Sequence, residues 1–549
     1  MPFVAAASAR PRDPSRAAAP FVRAEGGRLV GPGGEPLLLR GVGLGNWLLP
    51  EGYMWGFGDR AASPRQIEAL VVDLVGTDRA ARFWRDFRDV FITESDVAAI
   101  ARAGFDHVRL PINWRVLMTD DGAWREDGFA LVDRLIAWCR VAGLLVLLDL
   151  HGAPGGQTGT NIDDSAGRPE LFMDDRFADL TVALWTEIAR RYADEPTVLG
   201  YDLLNEPLPN AWQDTYRDAL VALYGRLTAA VRAVDPDHLL MYEGTHWATN
   251  WDLFTRVWDP NSALQFHKYW SPADRASIES FLDTGRRLGL PIYMGEGGEN
   301  TPEWLAAAHQ LYEDNGIGWN FWPWKKIATA TSPRSVVPPR GWDAVVAYAD
   351  GRGPRPERSD AVRILAELLE AMRVERCERR DEVVAALFRR APVVLPAYAF
   401  SFRDAASSAG SPDADLARGP LPTDRLRADD GVPLRRRDGG SEPDFTHPRR
   451  GGSEGDVVAD LAPGGWVVFE PELPAGDWDV VVLGAGDGVP AVAVDGVAVP
   501  VRPAPDRATA DDAAWVATHR SSAGGRVRLR VAATGAPLVL TAVRVAVSR

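Results

Sequence analysis

Cysteine, lysine and long apolar runs are all scarce in this chain, and each shortage excludes something. Only two cysteines occur among 549 residues, Cys139 and Cys377. They are too few for a disulfide framework or a cysteine-based zinc site. Cys139 falls in an apolar helix-like run and reads as a buried thiol. Lysine appears only at Lys268, Lys325 and Lys326, so arginine carries the positive charge. Acidic residues outnumber basic ones, 76 to 61, for a net charge of -15. That balance lacks the basic face a nucleic-acid binder needs. No apolar run reaches the length of a membrane-spanning helix. Residues 1–20 are an Ala/Arg/Pro arm without an apolar signal core, and are expected to be disordered. Their composition points to a cytoplasmic protein, or to a secreted one if the true start lies upstream. Oligomeric state is left open.

What the chain does have is length for more than one domain and twenty tryptophans, a residue that fills cores and stacks on sugar rings. From residue 21 to about 380, short apolar segments alternate with helix-period segments. The segments beginning at Leu37, His107, Leu144, Tyr201, His238, Ala263, Pro291 and Ile317 make eight strands. They are nearly continuously apolar, as strands buried on both faces should be. Eight strand-helix units predict an α/β fold, a (β/α)8 barrel, with an open doubly wound sheet as the alternative. Ser63–Val90 reads as one helix. Residues 381–395 read as a connecting segment. Residues 396–549 read as a β-sandwich of short strands, jelly-roll-like, separated by Gly, Pro and Asp.

The polar residues fall at strand ends, where a barrel builds its site. The stretch Tyr201–Pro207 delivers Asn205 and Glu206, and Pro291–Gly295 delivers Glu296. Two carboxyls at the tips of strands four and seven are the parts of a retaining glycosidase: one protonates the leaving oxygen, the other attacks the anomeric carbon. Arg109 is placed to keep Glu296 ionised. Glu299 is the rival nucleophile, and Glu243 is expected to pair with a cation. The run Gly41-Val-Gly-Leu-Gly45 fails as a dinucleotide loop, because a Trp/Pro-rich loop follows it instead of a helix. A metal-dependent hydrolase would need clustered His and Asp ligands at the first strand, which here ends in Gly43-Leu-Gly-Asn46.

The ordered motifs RGVGLGNWL, HVRLPINW, LDLHGAPGG, LLNEP, FHKYW, MGEGGEN and GWNFWPWKK resemble glycoside hydrolase family 5, over about residues 28–375. The resemblance implies a retaining mechanism without cofactor, with Glu206 as acid/base and Glu296 as nucleophile. It implies that Asn205 binds the sugar 2-hydroxyl, that Arg109 and Tyr269 orient Glu296, that His151 and His267 line the reacting subsite, and that Trp322 is its platform. HGAPGGQTG resembles exo-β-1,3-glucanases of the family, which points to β-glucans or β-gluco-oligosaccharides as substrate. The loop GEGGEN and the extension Lys325-Lys326 depart from those enzymes, so mannosides, xylosides or furanosides stay open, as does a non-catalytic carbohydrate-binding protein. Trp47, Trp55, His246, Trp247 and Trp324 are candidates for outer subsites. Residues 396–549 resemble a family 6-type carbohydrate-binding module, with Trp466, Trp478 and Trp515 as candidate sugar contacts and Asp429 and Asp430 as candidate ligands of a structural calcium.

Overall fold

The computed structural model describes residues 21–403, 409–410, 426–427, 430–438 and 457–548. The N-terminal arm and Asp429 lie outside them. Eight parallel strands close into a barrel. They are β1 (Arg40–Gly43), β2 (His107–Asn113), β3 (Leu145–Gly152), β4 (Val198–Asp202), β5 (Leu239–Glu243), β6 (Ser262–His267), β7 (Ile292–Gly298) and β8 (Gly318–Trp322). Closure excludes the open sheet. Every residue of β2, β4, β5, β6 and β8 is buried, which is why these strands carry no alternating polar pattern. Inside the lower barrel, Leu147, Leu199, Leu239, Met241 and Tyr293 pack with Val22 and Leu29 from a short antiparallel hairpin, Arg23–Glu25 and Arg28–Val30. Among the described residues no helix is long and apolar enough to cross a membrane.

The segment expected as one helix over 63–90 is two. Pro64–Val75 starts on a Ser63 capping box, and α1 (Thr77–Val90) starts anew after Gly76. Gly76 has φ 86° and ψ 158°, a conformation that ends one helix and that side-chain-bearing residues rarely adopt. The glycine run in and after β1 answers to close approach. A Cβ on Gly43 or Gly45 would stand 2.5 or 2.6 Å from the Trp322 ring. The run therefore makes room for an indole, not a phosphate.

The chain divides into two compact units. The first holds residues up to His267, Phe281–Gly297 and Gly318–Arg379; the second holds Arg380–Arg549 together with Lys268–Ser280 and Gly298–Ile317. The second unit is β-rich, with a seven-stranded and a five-stranded antiparallel sheet. Its residues 381–395 do more than connect. They form a helix, Asp381–Phe388, and a strand, Val393–Pro396, that pairs with the C-terminal strand Leu538–Val547. The helix that leads from β7 to β8, Pro302–Asp314, also belongs to this unit, and Trp304 to Glu313 are all buried. Arg389 and Arg526 both pair with Glu313, at 2.6 and 2.7 Å, and Asp314 accepts from Ser401 and from the Phe402 amide. Removing residues 381–549 would leave Glu313 without its cations and strip packing from a segment the barrel chain must pass through. The expected outcome is insoluble or molten protein rather than an active barrel. A truncated chain with a cooperative melt and wild-type turnover would contradict this.

Candidate functional site

The strand tips converge on Arg109, whose side chain is fully buried in mid-β2. Its Nε donates to Asp202 Oδ2 at 2.9 Å, Nη1 to Glu296 Oε1 at 2.7 Å, and Nη2 to Asn205 Oδ1 at 2.7 Å. Nη2 also lies 3.2 Å from Asp149 Oδ2 and 3.3 Å from Glu243 Oε1. One guanidinium thus faces four buried carboxyls from β3, β4, β5 and β7. Burial would lower its proton affinity, but the four carboxylates outweigh it and Arg109 stays charged. One cation cannot balance four anions, so protons remain in the cluster. Burial, with Glu243 adding repulsion, lifts Asp202 to about 6 against the pull of Arg109.

Glu206 does not extend β4, which stops at Asp202. The chain runs on through Leu203 and Leu204 to a turn in which Glu206 has φ 43° and Leu208 φ 52°. Left-handed backbone at non-glycine residues is strained and needs support. Glu243 gives it: its Oε2 accepts the Glu206 amide at 2.7 Å. Glu243 does pair with a cation, Arg109, as expected of it. Its hold on the Glu206 backbone was not legible, and neither was Gln157. The Gln157 amide donates to the carbonyls of His151 and Asn205, at 2.7 and 2.9 Å, and its Oε1 accepts from the Ala153 amide. It ties the loop after β3 to the tip of β4.

His267 stands among three carboxyls. Its Nδ1 lies 2.7 Å from Glu206 Oε1 and 3.6 Å from Glu296 Oε2, and its Nε2 lies 3.2 Å from Glu243 Oε1. Burial opposes its charge, but Glu243, Glu296 and Glu206 together hold it protonated well above the ordinary histidine range. Burial also lifts Glu296, to about 6, against His267 and Arg109. For Glu206 burial works upward too, yet the His267 hydrogen bond and charge outweigh it and the carboxyl is lowered. A transferable proton therefore rests on His267 Nδ1, one hydrogen bond from Glu206. The titration belongs to the cluster rather than to single residues.

His151 is the contrasting histidine. Burial pushes it down to about 4, so it is neutral. Its Nδ1 donates to Asp149 Oδ2 at 2.7 Å, which leaves Nε2 to accept from Asn205 Nδ2 at 3.3 Å. Its ring lies parallel to Trp322, with centroids 5.5 Å apart. Trp322 in turn donates through Nε1 to Tyr53 at 2.8 Å. Arg109, His151, Asn205, Glu206, His267, Glu296 and Trp322 thus form one connected array. Tyr269 lies in the loop after β6, in the second unit, with its ring 5.4 Å from Trp270. Glu299 is in the second unit as well, where its carbonyl accepts from Trp270 Nε1.

Several outer-subsite candidates are core residues. Trp47, Trp55 and Trp324 are at most 1% exposed, and their indole N–H groups are spent on Arg88 O, Asn46 Oδ1 and Asp96 Oδ1. His246 and Trp247 are half-buried. Lys325 is buried on Asp96 at 2.7 Å, a structural ion pair, while Lys326 stands 5.1 Å over the Tyr53 ring. Trp478 and Trp515 are buried, whereas Trp466 is half-buried under the Arg530 guanidinium. Asp430 pairs with Arg427. Donor atoms of Glu206, His267 and Glu296 lie within 4.8 Å of one another, close enough for one cation. Those groups are already engaged, Glu296 by Arg109 and His267 by Glu206 and Glu243.

Residues 73–327 match the family model described as cellulase, glycosyl hydrolase family 5. Among curated proteins the chain is similar to a β-xylosidase of Phanerodontia chrysosporium, 29% identical over 347 residues, covering 56% of this chain and 71% of that one. It is also similar to a probable glucan 1,3-beta-glucosidase A of Emericella nidulans, 32% identical over 276 residues, covering 47% of this chain and 66% of the relative's length. A crystal structure of an endogalactoceramidase aligns over 93% of this chain and 99% of its own, with 17% identity and a TM-score of 0.46. The family 5 match spans the strands that carry Arg109, His151, Asn205, Glu206, His267, Glu296 and Trp322.

Proposed function

We propose that the family 5 domain is a retaining β-glycosidase acting on β-gluco-configured oligosaccharides or glucans, with Glu296 as nucleophile and Glu206 as acid/base. The observation that carries this reading is the approach of the two carboxyls, with oxygen atoms within 4.8 Å of each other. Retaining enzymes hold theirs roughly 5–5.5 Å apart, while inverting ones need about 6.5–9.5 Å to admit a water. Glu296, held by Arg109, attacks the anomeric carbon as Glu206, drawing the proton from His267 Nδ1, protonates the departing oxygen. The proton returns to Glu206 from water, and the resulting hydroxide equivalent releases the sugar with its original configuration. Asn205, fixed between Arg109 and His151, is placed to bind the 2-hydroxyl, and Trp322 is the platform under the ring.

The glucosidase relatives support a β-glucoside substrate. The β-xylosidase relative supports a second reading, cleavage of β-xylosides. The two sugars differ by one hydroxymethyl group. Comparing kcat/KM on aryl β-glucoside and aryl β-xyloside, with laminari-, cello- and xylo-oligosaccharides beside them, decides between the readings. Proton NMR of the first product tests retention: β-anomer appearing first supports double displacement, and α-anomer appearing first contradicts it. In the free enzyme, Glu296 must be ionised to attack. With its carboxyl lifted to about 6, kcat/KM should rise with pH through an acid limb near that value. A flat profile from pH 4.5 to 6.5 would contradict the assignment. For the second unit, we propose a carbohydrate-binding role through the half-buried face of Trp466.

A further inference from the structure

A cavity of about 110 Å³ sits at the C-terminal ends of β1 and β2, in the first unit. Trp47 and Arg115, from the loops after those strands, line it together with Trp84 and Arg88 of α1, Glu68, and Arg125 at the start of the helix Glu126–Ala142. Three arginines face one carboxylate, and that carboxylate is already taken: Glu68 Oε2 accepts from Arg115 Nη2 at 2.9 Å. Arg115 is further paired with Asp164 at 3.0 Å.

Arg88 is not compensated in this way. Its carbonyl accepts from Trp47 Nε1 and Arg134 Nη2, but its guanidinium makes no hydrogen bond or ion pair with any described residue. Burial lowers its proton affinity; Glu68 and Asp127 pull the other way, and Arg125 and Arg115 add repulsion. The buried Trp84 indole N–H also has no partner among the described residues. A buried donor such as the Trp84 N–H is rarely left unmet, and the half-buried Arg88 guanidinium beside it can hold an oxyanion with strong charge-assisted bonds. We propose that this cavity is a binding site for a small oxyanion, with Arg88 and Trp84 Nε1 as donors and Arg115 and Arg125 supplying the field. The anion is either free, such as phosphate, or an acidic group carried on a glycan. The proposal does not depend on which glycoside the barrel cleaves.

Calorimetric titration of the full chain with inorganic phosphate, and separately with methyl β-glucuronide, tests it, with ionic strength held by potassium chloride and methyl β-glucoside as neutral control. Saturable phosphate binding, weakened about tenfold or more in Arg88→Gln and measurably in Trp84→Phe, is expected. Binding of the glucuronide alone, with the same dependence on Arg88, would support the site and assign the oxyanion to a glycan. Absence of saturable binding by either, or equal affinity in wild type and both variants, would overturn it. Should Arg88→Gln fail to fold, Trp84→Phe decides, since it keeps an aromatic side chain and removes the indole N–H.

Discussion

Glu296→Ala is expected to lose about 10⁴-fold or more in kcat on every hydrolysed substrate, because in the proposed mechanism its carboxylate is the group that attacks the anomeric carbon. The loss should be independent of leaving group, since the anomeric carbon has no attacker whatever departs. Glu206→Ala is expected to behave differently. On a substrate whose leaving group needs protonation the loss should be about 10²–10⁴-fold, the usual worth of a general acid. On a dinitrophenyl glycoside the glycosylation step should be nearly spared. Azide separates the two further. In Glu296→Ala it would replace the carboxylate and give the inverted glycosyl azide; in Glu206→Ala it would intercept the glycosyl-enzyme and give the retained one. Swapped azide stereochemistry would reverse the assignment of the two carboxyls.

Arg109→Met is expected to cost more in folding than any other single substitution in the barrel. The guanidinium is fully buried and touches Asp149, Asp202, Glu243 and Glu296 together. Removing one partner of a buried ion pair typically costs about 3–5 kcal/mol. Against a total stability of about 5–15 kcal/mol, that leaves a marginal protein. The loss should also depend on pH, with a defined sign. Asp202 already titrates at about 6 when folded, above the ordinary value near 4 of an unfolded chain. A carboxyl whose folded pKa is raised binds more protons folded than unfolded, so stability falls as pH rises through that window. Without Arg109 the rise is larger, and the deficit should be greatest above pH 7 and shrink towards pH 5. Melting curves of both proteins across that range check this; an equal deficit at all pH values would mean the loss is one of packing rather than charge.

The barrel was legible because its strands are apolar runs buried on both faces, and because the chemistry-bearing residues stand within or just beyond them. That Arg109, Asn205, Glu206 and Glu296 would gather at one end of the barrel could be read from position alone. What linked them could not. Asp149, Asp202 and Glu243 lie inside strands, and whether they meet depends on the stagger between strands, which a one-dimensional pattern does not contain. The Glu206 turn illustrates this: its strained backbone is held by a carboxylate 37 residues later. Tryptophans misled for a related reason. An indole after a strand reads equally as platform or as core, and the sequence does not carry its burial or the partner of its N–H: Trp55 is 1% exposed with its N–H on Asn46, and Trp322 is 3% exposed with its N–H on Tyr53. The unit boundary was partly hidden because Pro302–Asp314 sits between two barrel strands in sequence yet pairs its acids with Arg389, Arg403 and Arg526.

The most direct test of the central claim is covalent. Incubating the enzyme with a 2-deoxy-2-fluoro-β-glycosyl fluoride of the sugar it hydrolyses slows release of the glycosyl-enzyme, and peptide mass spectrometry then locates the added mass. The account predicts stoichiometric labelling of Glu296. Label on Glu299 or Glu206, or inactivation without any covalent adduct, would contradict it.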